Sequence, residues 1–183
     1  MVSAEASLWE LAIQLPQAST PFGAYVEAVQ TGDLLFLSGV LPVENQKPKF
    51  VGRIGKELDG AAGREAAHIA ALNALAVAKE YLGSLDKVTR VVRLGVYIAT
   101  SGDFFDQPRI ADGASELLKG SIRRGQDASS ACYRRCELAD GHADRIGGHP
   151  GNETVRCESG RRNVELNHKT PVFNKYSFLP AKS

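Results

Sequence analysis

The amino-acid sequence predicts an α+β fold in which an antiparallel sheet carries two helices on one face. Two observations lead to this prediction. Short β-rich apolar runs occur at 25–38 and 88–98, and apolar residues recur at helical spacing in 59–83 and 107–120. The predicted order is therefore strand, strand, helix, strand, helix. Because the second helix needs a sheet surface to cover, we expect closing strands after residue 120.

The first two strands are predicted to form a hairpin around the sequence TGD, whose glycine can adopt a positive φ. Tyr25, Glu27 and Val29 alternate onto one face of the first strand. The second strand, 34–38, is almost wholly apolar, and we expect it to be covered on both faces. The segment 43–56 is polar and basic with scattered glycines, which favours a surface loop.

Both helices carry sequence signals at their ends. Asp59 is the predicted N-cap of the first helix and Gly83 its C-terminal stop. Pro108 falls in the first turn of the second helix, and Gly120 is predicted to follow its end. The strand 88–98 lies between the two helices. Apolar residues lie on one face of the first helix, namely Ile69, Leu72, Leu75 and Ala76.

Composition and charge exclude several classes of protein. The formal net charge of +1 gives no global reason to expect nucleic acid or an anionic membrane as a partner. No apolar run is long enough to span a bilayer, and the N-terminus lacks the pattern of a secretory signal. The three cysteines cannot all pair. We therefore expect a cytoplasmic protein with reduced thiols.

The composition changes abruptly near residue 123. Residues 1–123 contain 12 Lys+Arg and 14 Asp+Glu (net −2), whereas residues 124–183 contain 10 and 7 (net +3). The hydrophobic periodicity stops at the same place, and all three cysteines follow it. We therefore predict a domain over 1–123 that still lacks its closing strands, and an atypical, irregular tail over 124–183.

Cysteine and histidine residues in the tail raise the alternative of a zinc site. The spacing C-x3-C-x5-H-x6-H supplies the donor atoms of a tetrahedral site. It matches no compact zinc finger, so we favour a protein without metal or other cofactor. The four residues concerned are Cys132, Cys136, His142 and His149.

Three stretches within residues 15–122 resemble the YjgF/RidA family, also called the reactive-intermediate deaminase or endoribonuclease L-PSP family. They are PFGAYVEAVQTGDLLFLSGVLPV, AALNALAVAKEYLGSLDKVTRVVRLGVYIAT and DFFDQPRIADGASELL. The resemblance implies a chorismate-mutase-like fold and a homotrimer with clefts between subunits. It also implies hydrolysis of small enamines or imines to keto acids and ammonia without a cofactor, as in 2-iminobutanoate/2-iminopropanoate deaminases.

The resemblance also assigns site residues. It places substrate-binding groups at Tyr25, at the Ser38-Gly39 pair that ends the second strand, and at the backbone of Val40. An asparagine used by the deaminases falls at Pro108, so that contact is absent. The family's carboxylate-binding arginine and water-positioning glutamate have no counterpart in 123–183 as recorded. The catalytic residues are therefore unknown, and we expect negligible catalysis from the chain as recorded.

A change of reading frame would account for this loss. Back-translation of residues 125–149, read one nucleotide later, permits GKTHQARAIGVASLPMGTPIELEVI, which restores both family residues. Constrained positions agree; for example, Asp140 followed by Gly141 becomes only Met or Thr. We therefore hypothesise that the chain leaves its ancestral frame near residue 123 or 124.

Other functions remain open at this point. A non-enzymatic protein that binds small ligands or partners on the same fold is the main alternative. RNA cleavage ranks last, because nothing basic or histidine-paired in residues 1–123 supports it. His68 is predicted to be structural or solvent-facing, and Arg90 and Arg93 to be edge or surface charges.

Overall fold

A computed structural model describes residues 3–21, 23–102 and 104–122, together with the backbone of two later strands, 131–136 and 172–180. The predicted order of strand, strand, helix, strand, helix is confirmed over residues 28–121, and so is the α+β class. The helices and strands in chain order are α1 (Ala4–Glu10), β1 (Ala28–Thr31), β2 (Leu34–Leu37), β3 (Val43–Glu44), β4 (Lys47–Pro48), α2 (Gly60–Leu82), β5 (Val88–Ala99), α3 (Gln107–Ser121), β6 (Ala131–Cys136) and β7 (Val172–Pro180).

Five strands form one sheet in the order β1-β2-β7-β5-β6. β7 runs antiparallel to both β2 and β5, whereas β6 runs parallel to β5. Parallel neighbours require a crossover connection, and α3 supplies it between β5 and β6. The predicted antiparallel pairing therefore holds everywhere in this sheet except at the β5–β6 edge.

The expectation of an irregular C-terminal tail needs correction at two places. β6 and β7 both join the sheet, although they do not pair with each other, because β5 lies between them. The sequence of β7 is rich in strand-favouring aromatic residues but lacks the strict alternation by which strands are recognised. Residues 123–130, 137–171 and 181–183 lie outside the described residues, and the division of the chain at 123 stays a prediction.

α2 begins and ends where its sequence signals predict. Asp59 accepts a hydrogen bond from the Ala62 N–H at 2.8 Å, and Gly83 adopts the left-handed conformation with φ 79°. The helix shares one hydrophobic core with α3 and the buried face of the sheet. Gly120 lies inside the last turn of α3 rather than after it. Among the described helices, none is long and apolar enough to cross a membrane.

β2 is covered on one face only, which contradicts the expectation of cover on both. Leu35 and Leu37 are buried in the core shared with α2, as alternation along a strand allows. Phe36 points the other way and is 44% exposed, opposite Val29 of β1, which is 49% exposed. The single chain therefore presents an apolar strip on the outer face of its first hairpin.

The segment 43–56 contains more structure than the predicted surface loop. β3 and β4 form a hairpin in which Asn45 and Gln46 have φ values of 50° and 63°, as a type I′ turn requires. Further along, Ile54 is fully buried, and its N–H donates to the Ala99 carbonyl at 3.0 Å. The turn escaped prediction because neither turn residue is glycine.

Candidate functional site

A shallow cleft opens where β1 begins and β2 ends, above the C-terminal half of α2. Three parts of the chain form its walls: the segment before β1, the first residues of the hairpin, and the residues that follow β2. The lining residues are Ser19, Thr20, Pro21, Tyr25, Glu27, Ser38, Gly39, Val40, Leu41 and Val77.

All four substrate-binding positions predicted from the sequence line this cleft. Tyr25 lies in the bend before β1 rather than on the strand itself, because β1 begins at Ala28. Its ring is 44% exposed, whereas Val40 is buried at 6% and forms part of the wall beneath. The structure thus brings together Tyr25, Ser38, Gly39 and Val40, which are up to fifteen positions apart in the chain.

The Ser38 hydroxyl is held in a fixed orientation. Ser38 Oγ donates to the Val26 carbonyl at 2.6 Å, and the Ser38 N–H donates to the Glu27 carbonyl at 2.8 Å. Because its proton is committed to Val26, the hydroxyl oxygen presents lone pairs to the cleft as an acceptor. Ser38 is therefore suited to orient a ligand N–H or a water molecule.

Asn73 fixes the chain that follows Gly39. It is 2% exposed in the middle of α2, and its Nδ2 donates to the Leu41 carbonyl at 2.9 Å and the Val43 carbonyl at 3.0 Å. These bonds satisfy carbonyl groups in a stretch that has left the β2 ladder. Asn73 is not among the site residues predicted from the sequence, although a lone amide among alanines and leucines was the available signal.

Gln46 holds the opposite wall of the cleft. Its Oε1 accepts from the Thr20 N–H at 3.2 Å, and its Nε2 donates to the Ala18 carbonyl at 3.4 Å. The β3–β4 turn therefore ties down the segment that includes Ser19, Thr20 and Pro21. These bonds are exposed, unlike the buried bonds of Asn73.

Glu27 brings a carboxyl group to the cleft wall. Burial raises the pKa of this carboxyl above its ordinary value, and the nearby Glu80 carboxylate raises it further. The sequence analysis placed Glu27 on the same face as Tyr25 but gave it no role. A charged residue between apolar neighbours at a strand end was the signal that could have identified it.

The cleft of the single chain is small. Its cavity volume is about 20 Å³, which is roughly the space that one water molecule needs. A small organic acid does not fit inside walls of this size without contributions from elsewhere. Enclosing such a ligand therefore requires further chain or a neighbouring copy.

Cationic and metal-binding groups are missing from the cleft as far as the structure describes it. The described lining contains no lysine or arginine. Across the described side chains, no group of three or more His, Cys, Asp or Glu residues is placed to hold a metal ion. The side chains of the zinc alternative (Cys132, Cys136, His142 and His149) lie outside what the structure describes, as do the side chains at the positions where the family's arginine and glutamate are expected.

Three residues that the sequence analysis set aside lie away from the cleft. His68 lines a separate groove on the outside of α2 and α3, together with Glu65 and Glu116. Arg90 and Arg93 are exposed on β5. The prediction that these two arginines are surface charges is confirmed.

The fold and the cleft define a small α+β domain with a recess of mixed polar and apolar lining at the end of its first hairpin. A family model described as "YjgF/chorismate mutase-like, putative endoribonuclease" matches residues 5–134, which run from α1 into β6. The chain belongs to this YjgF/RidA family.

The chain is also similar to several individual proteins. Protein TCP17 of Trypanosoma cruzi is 38% identical over 113 residues, which are 62% of this chain and 71% of the relative. A protein of unknown function from Agrobacterium tumefaciens has a TM-score of 0.66 at 26% identity, over 97% of this chain and 92% of its own. A "putative endoribonuclease" from Shewanella oneidensis has a TM-score of 0.70 at 20% identity, over 97% and 99%. The Shewanella similarity establishes the fold and not an activity.

Proposed function

We propose that the lineage of this protein hydrolyses small reactive enamines or imines to keto acids and ammonia at this cleft, and that the recorded C-terminal third, which offers no counterpart of the family's arginine and glutamate, has lost this activity. One observation carries the proposal: the fold gathers Tyr25, Ser38, Gly39 and Val40 into one recess beside a carboxyl group. Hydrolysis of a C=N bond needs water held against the carbon and polar groups that orient the nitrogen. The fixed acceptor oxygen of Ser38 provides one such group.

The proposal includes assembly into a homotrimer whose subunits complete each other's clefts. The cavity of the single chain is too small to enclose an imino acid. Val29 and Phe36 form an exposed apolar pair on the outer face of β1 and β2, of the kind that subunit contacts bury. Light scattering on the purified chain measures the assembly directly, and a monomeric mass would contradict this part of the proposal.

The second candidate is a protein of the same fold that binds small ligands without turnover. The observation that favours it is the lack of any lysine or arginine in the described cleft lining, since a substrate carboxylate is usually held by such a cation. This candidate predicts saturable binding of 2-keto acids with no acceleration of imine hydrolysis.

A trapping assay separates the two candidates. An amino-acid oxidase generates the imine, semicarbazide traps what remains, and an active hydrolase lowers the yield of semicarbazone. For the hydrolase we expect Ser38→Ala to lose most of the activity and Ser115→Ala to keep it. Both hydroxyls donate to a backbone carbonyl, but only Ser38 lines the cleft.

The recorded tail is tested in the same assay. Intact mass and gene sequencing establish which C-terminal third is made, and a variant with the restored reading frame supplies the family's arginine and glutamate. If the restored chain is active and the recorded chain is not, the ancestral protein was a hydrolase and the recorded tail accounts for the loss of activity. Inactivity of both chains, with keto-acid binding intact, favours the binding protein.

A further inference from the structure

The Glu27 carboxyl group is the one carboxylic acid among the described lining residues of the cleft. Its backbone is fixed, because the Glu27 carbonyl accepts from the Ser38 N–H at 2.8 Å. Glu27 and Ser38 are therefore neighbours across the first hairpin, and both line the cleft. The two residues offer a ligand two acceptors and no described cation.

The surroundings of Glu27 leave its charge uncompensated. Within the described residues, its carboxylate has no ion-pair partner, and the neighbouring charge is the like charge of Glu80 on α2. Burial and this like charge raise the pKa of the Glu27 carboxyl. A cation in the cleft would offset the free-energy cost of ionising Glu27, whereas an anion would increase that cost.

We propose that Glu27 is the specificity-determining residue that binds the nitrogen end of the ligand. The cleft would thereby prefer a small molecule with a protonated nitrogen, an iminium or ammonium group, over its uncharged isostere. This inference rests on the proposed function, because it takes the cleft as the ligand site. Glu27 and Ser38 both line the cleft, and a hydrogen bond from a ligand N–H to a charged acceptor such as the Glu27 carboxylate is stronger than one to a neutral acceptor.

Two ligands that differ at one group provide the test. L-serine and L-glycerate share a carboxylate and a hydroxymethyl group but carry an ammonium and a hydroxyl group, respectively. Isothermal titration calorimetry on the full chain should give L-serine about tenfold tighter binding than L-glycerate, as expected for one charge-assisted hydrogen bond. Glu27→Gln should bring the ratio close to one, and Glu27→Asp should retain part of it.

Controls separate this inference from the function on which it rests. Glu116→Gln, an exposed carboxylate in the groove away from the cleft, should leave the ratio unchanged. Equal binding of the two ligands by the wild-type chain, no binding of L-serine, or a preference that survives in folded Glu27→Gln would overturn the inference. Imine hydrolysis that persists unchanged in Glu27→Gln would do the same while leaving the proposed function intact.

Discussion

The two halves of α2 are held in the fold by different kinds of contact. The N-terminal half packs closely on its neighbours through small residues: a Cβ atom at Gly63 would lie 2.9 Å from Ile54 Cδ1, and one at Gly113 of α3 would lie 2.3 Å from the Arg64 carbonyl oxygen. The C-terminal half is held by polar groups, among them Asn73 beneath the cleft and Lys79 beside α1. Steric fit therefore fixes how closely the N-terminal half of α2 packs on its neighbours. Hydrogen bonds fix the chain segments that contact its C-terminal half, including the wall of the cleft.

Enlarging a residue in the close-packed half should have the largest effect. In Gly113→Ala, the new Cβ overlaps the backbone of α2, which cannot rotate away as a side chain can. We expect a loss of about 3 kcal/mol in the free energy of unfolding. Urea denaturation followed by circular dichroism measures it; Trp9 fluorescence is a poor reporter because this residue is 87% exposed.

Gly120→Ala in the same helix is the matched control. There the added Cβ meets only Leu11 Cδ1, at 3.3 Å, and this is the end of a flexible side chain. Because alanine favours the helix by about 1 kcal/mol over glycine, stability should change little or rise. Equal losses in the two variants would mean that close packing does not distinguish the two positions.

Removing the buried amide beneath the cleft should have the next largest effect. Asn73→Ala leaves the Leu41 and Val43 carbonyls without this donor. We expect a loss of about 2 to 3 kcal/mol in stability, together with weaker ligand binding, because the wall after Gly39 is released. His68→Ala, at a partly exposed position of the same helix, should change stability by less than about 1 kcal/mol.

The polar contacts between α1 and the end of α2 should show a pH dependence. Glu5 accepts from Lys79 at 2.9 Å and from Ser84 Oγ at 2.9 Å. The Lys79 hydrogen bond is the main reason that the pKa of Glu5 is lowered below 4.5. The stability from this group is therefore fully present above about pH 4.5 and is lost as the pH falls through the lower, folded-state pKa.

Glu5→Gln measures this contribution. At neutral pH we expect a loss of about 1 kcal/mol, because the pair is partly exposed to solvent. The difference from wild type should shrink as the pH is lowered below 4. A difference that stays constant down to pH 2.5 would contradict the role given to the Glu5 charge.

The exposed hydrogen bonds of Gln46 should have the smallest effect on global stability. Gln46→Gly suits the positive φ of 63° but removes the bonds to Thr20 and Ala18. We expect a change of less than about 1 kcal/mol, with faster hydrogen exchange at the Thr20 amide. Asn45→Gly changes the same turn but keeps the Gln46 side chain, so it should leave Thr20 protected.

Long elements with strong local signals were predictable from the sequence, whereas short elements and those that depend on distant contacts were not. α2 carries its cap and its stop in the sequence, at Asp59 and Gly83. α1 has only seven residues and depends on Glu5, whose partners lie more than seventy positions away. A helix of this length has little stability of its own, so periodicity could not reveal it.

The same distinction applies to the site. Tyr25, Ser38, Gly39 and Val40 were assigned by resemblance, and their meeting in one cleft follows from the hairpin register. Glu27 and Asn73 were missed, since their surroundings depend on how α2 crosses the sheet. The family's arginine and glutamate have no counterpart that local sequence reveals in the recorded tail.

The position of β7 also delays the completion of the sheet during synthesis of the protein. Residues 172–180 are synthesised after the other described strands of the sheet, yet they occupy its centre, between β2 and β5. On the ribosome, the first hairpin and the strand after α2 therefore emerge long before the partner that joins them. Such non-local pairing slows folding and leaves strand edges open, so molecular chaperones have a long interval in which to bind the nascent chain.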